Sequence, residues 1–184
     1  SAPKGRFAVL VRFSHLPAHL PRPHHRRTAR VIIDEVAQQH EGEAFELEGG
    51  AADSIVEAVR SGRIDIGFVA PRPIAEDLAW VPMGRELLCL EVPPGDDFAD
   101  RSEISIAEIS RRPMIALGPS YGLRHVVDRL FEDAGCVPSI SIEATELSTL
   151  RALVRHGSGI AIVPVPRADQ QSSTVVIPIS DANA

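Results

Sequence analysis

Gly118-Pro-Ser-Tyr-Gly122 is the stretch whose residue types and spacing could do chemistry. Ser120 stands just before a predicted helix over Tyr121–Ala134. First-turn N–H groups of a helix lack intrahelical acceptors and sit at the positive end of its dipole. Arg124, on the first turn, adds a planar fork of donors suited to a carboxylate. Together they describe a cradle for a small anion. The competing reading makes Ser120 a helix N-cap and Arg124 a surface cation. His15, His19, His24 and His25 invite a metal, but Pro17 and Pro21 undermine a helical pair at 15 and 19. No neighbouring Cys, Asp or Glu completes a ligand set, so no metal is expected and these histidines read as solvated loop residues, one of which could hydrogen-bond a ligand. Asp96-Asp97 beside Pro-Gly reads as a solvated turn rather than a carboxylate dyad. G-x-S-x-G, G-x-x-x-x-G-K-[ST] and strand-following G-x-G-x-x-G motifs are missing, so neither an enzyme nor a cofactor is expected.

The elements that must position this loop follow a repeated grammar. In residues 145–164, Leu147, Leu150, Leu153 and Val154 recur at i, i+3, i+6 and i+7, one face of a helix. Gly157 stops that helix, Gly159 allows a tight turn, and Ile160–Val163 is a strand that ends at Pro164. About eighty residues earlier, Asp53–Ser61 reads as a helix with Asp53 as N-cap and Gly62 as stop, followed by a strand within Arg63–Val69 and then Pro71 and Pro73. Around these lie a strand over Phe7–Phe13, a proline- and histidine-rich loop over 14–27, a helix Ala29–Gln39 capped by Thr28, and an alternating strand Glu43–Glu48. Leu78–Met83 and Arg85–Val92 predict two short strands, and Ser105 caps a short helix at Ile106–Ser110. Strands follow at Pro113–Leu117, Ser139–Glu143 and Val175–Ile179; Val126, Val127, Leu130 and Phe131 turn inward from the 121–134 helix. Two successive βαβαβ units of parallel, helix-covered strands are expected. Ligands of such sheets bind beyond the carboxyl ends of the strands.

Two segments carry a family resemblance. Val154-Arg-His-Gly-Ser-Gly-Ile-Ala-Ile-Val-Pro164 resembles the V-x-x-G-x-G-I-A-x-x-P segment of LysR-type effector-binding domains, and Gly62-Arg-Ile-Asp-Ile-Gly-Phe68 resembles their G-x-x-D-x-G-F element. The resemblance runs from Gly5 to about Ile179. It implies an α/β, periplasmic-binding-protein-like fold of two Rossmann-like lobes with a double crossover. Residues 1–72 plus 166–184 would form lobe I and 73–165 lobe II, with an effector in the cleft between them. A family member adds one more strand and a closing helix after the position of Ile179. Carried over residue by residue, the resemblance places Ser14 and His15 at the first strand exit. Gly50 and Ser54 fall at the second, where a family hydroxyl is replaced by Ala51 and Ala52. In lobe II it places Ser120, Tyr121 and Arg124 at one exit and Thr145 at another, although Thr145 also suits the N-cap of the helix that follows.

Composition bounds the function. The 184 residues are 44% hydrophobic and 24% charged, which excludes disorder, and one Trp and one Tyr provide no base-stacking platform. No run of eighteen apolar residues is present, so no membrane partner is expected. Cys89 and Cys136 read as buried free thiols of a reducing, cytoplasmic compartment. Residues 1–33 carry seven cations and no acid; residues 34–184 carry the other 12 cations against 25 acids, a net of −13. The basic stretch is either a solvated linker and helix face or an electropositive mouth for a small anion. The acidic remainder makes a poor DNA binder. The expectation is the sensor domain of a LysR-type regulator, trimmed from a DNA-binding helix-turn-helix absent from this chain. It would bind a small anionic effector and form a homodimer or tetramer, pairing through the Ala29–Gln39 helix and the facing second lobe. A solute-binding receptor of a transport system is the alternative.

Overall fold

The computed structural model describes residues 4–11, 50–70, 72–166 and 173–181. The chain forms two compact units, Arg6–Arg85 and Glu86–Ala184 with Ser1–Gly5. The expected helix at 29–39 and strand at 43–48 lie outside the described residues.

The 6–85 unit holds β1 (Lys4–Val11) from Arg6 onward, α1 (Ala52–Ser61), β2 (Ile66–Val69) and the start of β3 (Ala79–Val92). Ile55, Val56 and Val59 of α1 bury their side chains with Val69 and Leu78. The helix seats closely because Gly67 has no side chain: a Cβ there would lie 2.6 Å from Ile55 Cγ2. Arg60, near the end of α1, donates through Nε and Nη2 to both oxygens of Asp77, at 2.7 and 3.1 Å. The two arms tie the helix to the segment entering β3. Two expectations are corrected. The backbone N-cap of α1 is Ala51, not Asp53, because the helix ladder already begins with Ile55 N–H donating to Ala51 O at 3.1 Å. Asp53 sits in the first turn instead, where its charge meets the dipole. β1 runs antiparallel to β2, Ala8 opposite Val69 and Val11 opposite Ile66, where a parallel βαβ pair was expected. A short apolar run specifies burial but not strand direction, and either ladder satisfies the same backbone groups.

In the 86–184 unit, the run Leu88-Cys-Leu-Glu-Val92 puts apolar side chains on both faces of a strand, the pattern of a sheet covered on two sides. β3 is one long strand rather than the two expected. It pairs antiparallel with β6 (Ala161–Pro164) on one side and β7 (Val175–Pro178) on the other. β7 therefore pairs within the 86–184 unit. β4 (Pro113–Leu117) pairs parallel with β5 (Ser139–Ala144) and is bridged in parallel to Ile160 beside β6, so the second βαβαβ unit is present as expected. Leu88, Leu90 and Val92 face α2 (Ile106–Ile109) and α3 (Gly122–Asp133), packing with Ile106, Ile109, Val127, Leu130 and Phe131. On the opposite face Cys89, Ile115, Leu117, Ala161 and Val163 pack with Leu150 and Val154 of α4 (Leu147–Arg155).

The helix stops are as the glycines foretold. After α1, α3 and α4, paired backbone bonds close the last turn at Gly62, Gly135 and Gly157, with φ of 77°, 66° and 78°. α2 carries a complete capping box between Ser105 and Glu108, and Asp181 accepts from Ile106 N–H at 2.6 Å. That bond, with Ser180 N–H to Ile104 O at 2.9 Å, fixes the chain leaving β7.

Among the described residues, one charged side chain is fully buried in this core. Glu91 on β3 is fully buried; Arg151 of α4 approaches its carboxylate at 3.3 Å, and Thr174, just before β7, donates its hydroxyl. Arg151 also donates to Pro164 O at 2.6 Å, so four segments meet at one ion pair. Removing one partner from a buried pair costs about 3–5 kcal/mol, whereas replacing both with apolar groups is often neutral. Arg151→Met should therefore lose stability on that scale in urea unfolding, and Glu91→Leu with Arg151→Met should recover more than half of it. A double variant no more stable than the summed singles would show that the two charges are not coupled and would overturn this account.

Both cysteines are free. Burial pushes the Cys89 thiol up to about 12, helped by the charge of Glu91, and its Sγ lies 3.4 Å from Val163 O. At pH 8 that thiol therefore stays protonated and unreactive. Ellman's reagent should titrate one thiol in the native protein, half-buried Cys136, and the second only in denaturant. Two native thiols reacting at similar rates would contradict this packing.

Candidate functional site

The expected site residues fall into three groups. Ser14 and His15 lie outside the described residues. Gly50 and Ser54 are exposed at the start of α1, a helix whose N-terminus no side chain caps. Ser120, Tyr121, Arg124 and Thr145 gather in the 86–184 unit, at the carboxyl ends of the parallel strands β4 and β5.

Adjacent parallel strands bring their exits side by side, and a backbone bond fixes the spacing: Gly118 N–H donates to Ala144 O at 3.1 Å. From Gly118 the chain turns through Pro119 and Ser120, closed by Tyr121 N–H donating to Gly118 O at 3.1 Å, and enters α3. From Ala144 it passes Thr145 and Glu146 into α4. The backbone N-caps are Tyr121 and Glu146, and neither helix has a side-chain cap bond. Ser120 and Thr145 are therefore not N-caps; both side chains are exposed beside helix ends whose first-turn N–H groups point outward. The Tyr121 ring lies along Gly118, with Cδ2 3.7 Å from the point where a Cβ would stand.

Arg124 is placed differently from a free fork donor. Its side chain is only 15% exposed. Nε donates to Asp128 at 2.9 Å, and Nη1 donates to Glu143 Oε1 at 2.8 Å and to Leu117 O at 3.1 Å. Burial works against its charge, but the bonds to Glu143 and Asp128 outweigh it, so the guanidinium is more firmly cationic than a free arginine. Sequence reasoning missed both carboxylates. Asp128 was legible as the i+4 partner of Arg124; Glu143 comes from the neighbouring strand, which no local spacing reveals.

Beside the carboxylate of Glu146, the loops offer a ligand the hydroxyls of Ser120 and Thr145, the tyrosine, and the open amides of two helix starts. Among the described residues no group of three or more His, Cys, Asp or Glu could hold a metal. No described helix is long and apolar enough to cross a membrane.

A family model described as the LysR substrate binding domain matches residues 27–184. The chain is 30% identical over 149 residues to the HTH-type transcriptional regulator YybE of Bacillus subtilis (strain 168), covering 81% of this chain and 51% of that protein. It thus spans about half the length of that relative. Its fold is similar to the effector binding domain of QuiR in complex with shikimate, with a TM-score of 0.72, 20% identity, and coverage of 82% of this chain and 73% of that one. It is also similar to the CcmR regulatory domain of Synechocystis PCC6803 in complex with 2-PG, with a TM-score of 0.71, 19% identity, and coverage of 80% and 73%. The periplasmic-binding-protein-like architecture read from the helix–glycine–strand–proline segments is the one these domains share, and the chain belongs to the LysR substrate-binding domain family.

Proposed function

We propose that this chain is the ligand-sensing part of a transcription regulator and that its effector is a small organic acid. The observation that carries the reading is the joined pair of strand exits at Gly118 and Ala144, each opening a helix that no side chain caps. Open helix N-termini bind anions through N–H groups and the dipole. Ser120 and Thr145 supply hydroxyls, and Tyr121 an amphipathic ring, at the same place. Relatives of this fold hold shikimate and 2-PG, which supports an acid here as well.

No nucleophile with an activating base stands among these groups, and the relatives are transcriptional regulators rather than enzymes. DNA binding and assembly into a dimer or tetramer belong, in this reading, to the longer protein of which the relatives are examples. The effector changes that protein only by binding one arrangement of it better than another.

A thermal-shift screen of the chain against shikimate and other small carboxylic and phosphorylated acids tests the proposal. A binder at a hundred times its dissociation constant adds about 2.7 kcal/mol, roughly 5–10 °C at this size. The expected hit loses about five- to tenfold in affinity with Ser120→Ala, the loss of one hydrogen bond of ~1 kcal/mol. Equal stabilisation by an acid and by its neutral methyl ester would overturn the anionic assignment.

A further inference from the structure

We propose that Arg124 is the positioning residue of the ligand loops: it acts through the spacing of the two strand exits, which it sets. This rests on the functional reading above, and it gives a role to the bonds that Nε and Nη1 make at the mouth of the site.

The three partners of the guanidinium stand at the roots of both loops. Leu117 is the last residue of β4, and its carbonyl, which accepts from Nη1 at 3.1 Å, immediately precedes Gly118. Glu143 stands one residue before Ala144, the residue that accepts from Gly118, and its carboxylate takes the same Nη1 at 2.8 Å. Asp128 lies one turn further along α3 and holds Nε at 2.9 and 3.1 Å. One side chain therefore ties the start of α3 to the end of β4 and to the end of β5. Its planar fork reaches three acceptors in fixed directions, which the point charge of a lysine cannot reproduce.

Charge points the same way. Arg124 is outnumbered by Asp128 and Glu143, and Glu146 stands at the mouth of the second loop. Turning the guanidinium to a ligand carboxylate would strand two protein carboxylates beside the incoming anion. An acid seated here is held by amides and hydroxyls, whose directions are set by loops that Arg124 holds apart at a fixed distance.

Hydrogen exchange of the chain tests the positioning role without any ligand. Arg124→Lys keeps the charge and Glu143→Gln, at a half-exposed position, keeps the shape. Each should accelerate exchange at the bonded amides of both loop roots, Gly118, Tyr121 and Arg124 in the first and Leu150 in the second, by about tenfold or more for a lost charge-assisted bond. Residues 88–92 and 161–164 should stay as protected as in the parent. Unchanged loops, a change confined to one loop, or equal loss of protection across the whole unit would each overturn the proposal.

A second arm separates positioning from contact, using shikimate or whichever acid the screen identifies. In the Arg124→Lys background, Ser120→Ala should cost less than half of its effect in the parent, because the loop is already displaced. Full additivity of the two substitutions would make Arg124 an independent ligand contact and overturn the proposal. If no acid binds the parent chain, the functional reading fails, and the exchange experiment still decides the role of Arg124.

Discussion

Glu91 constrains everything around it in the 86–184 unit. A carboxylate with no exposed surface must keep its charge partnered, and its partners come from parts of the chain far apart in sequence. Arg151 can reach it only if α4 lies across β3 in one register. Thr174 can reach it only if β7 begins opposite the end of β3, where Val175 pairs with Val92. The second arm of Arg151, on the carbonyl of Pro164, fixes where β6 ends. Apolar packing alone would leave these registers soft, since Leu150 and Val154 could slide by a turn at modest cost. The ion pair makes the wrong registers expensive, because each would leave a buried charge unmatched. Helix α4 is thus anchored at its middle, and its N-terminal end at Glu146 is delivered to the β5 exit.

The helices of this unit divide by how they begin. α2, a single turn, has its hydroxyl, its carboxylate and a carboxylate from Asp181 all spent on its first amides. α3 and α4 are longer and start at the ends of parallel strands, yet neither has a side-chain cap. Capping is within easy reach of this sequence, as Ser105 and Glu108 show, and Ser120 and Thr145 sit within a residue of the right positions. What keeps them from capping is the backbone: the turn closed by Gly118 O and Tyr121 N–H makes Tyr121 the last extended residue, and the step after Ala144 does the same with Glu146. Two unsatisfied helix starts are therefore held next to each other by the strand pairing beneath them.

How much of this the sequence carries depends on the range over which each feature is encoded. The helix stops at Gly62 and Gly157 and the capping box at Ser105–Glu108 are local, and the chain spells them out. Inward faces were legible too, with Val127, Leu130 and Phe131 buried and Val126 half-buried as the periodicity indicated. Strand direction and sheet neighbours were not. The antiparallel pairing of β1 with β2 and the pairing of β7 with β3 are choices between distant segments, and an apolar run reads the same in either sheet. The boundary at Gly84 illustrates the opposite error: strands were expected to end at Met83 and to begin again at Arg85, but β3 runs through Gly84. At the candidate loops the two helix starts were each missed by one position, enough to turn two candidate caps into exposed hydroxyls.

The reading of Arg124 as a free cation fails for a reason that lies in the helix itself. It occupies the third position of α3, whose first turn contains no acid, so its charge sits against the positive end of the dipole. A cation there is disfavoured unless something nearby overcompensates. Asp128 sits one turn along and Glu143 reaches across from β5, and together they supply two negative charges to the one positive. The guanidinium is tolerated at that helix start because its Nε and Nη1 are bound to carboxylates. The same electrostatics that would draw an acid to the α3 amides therefore oblige the neighbouring arginine to turn inward, onto the strands that carry the loops.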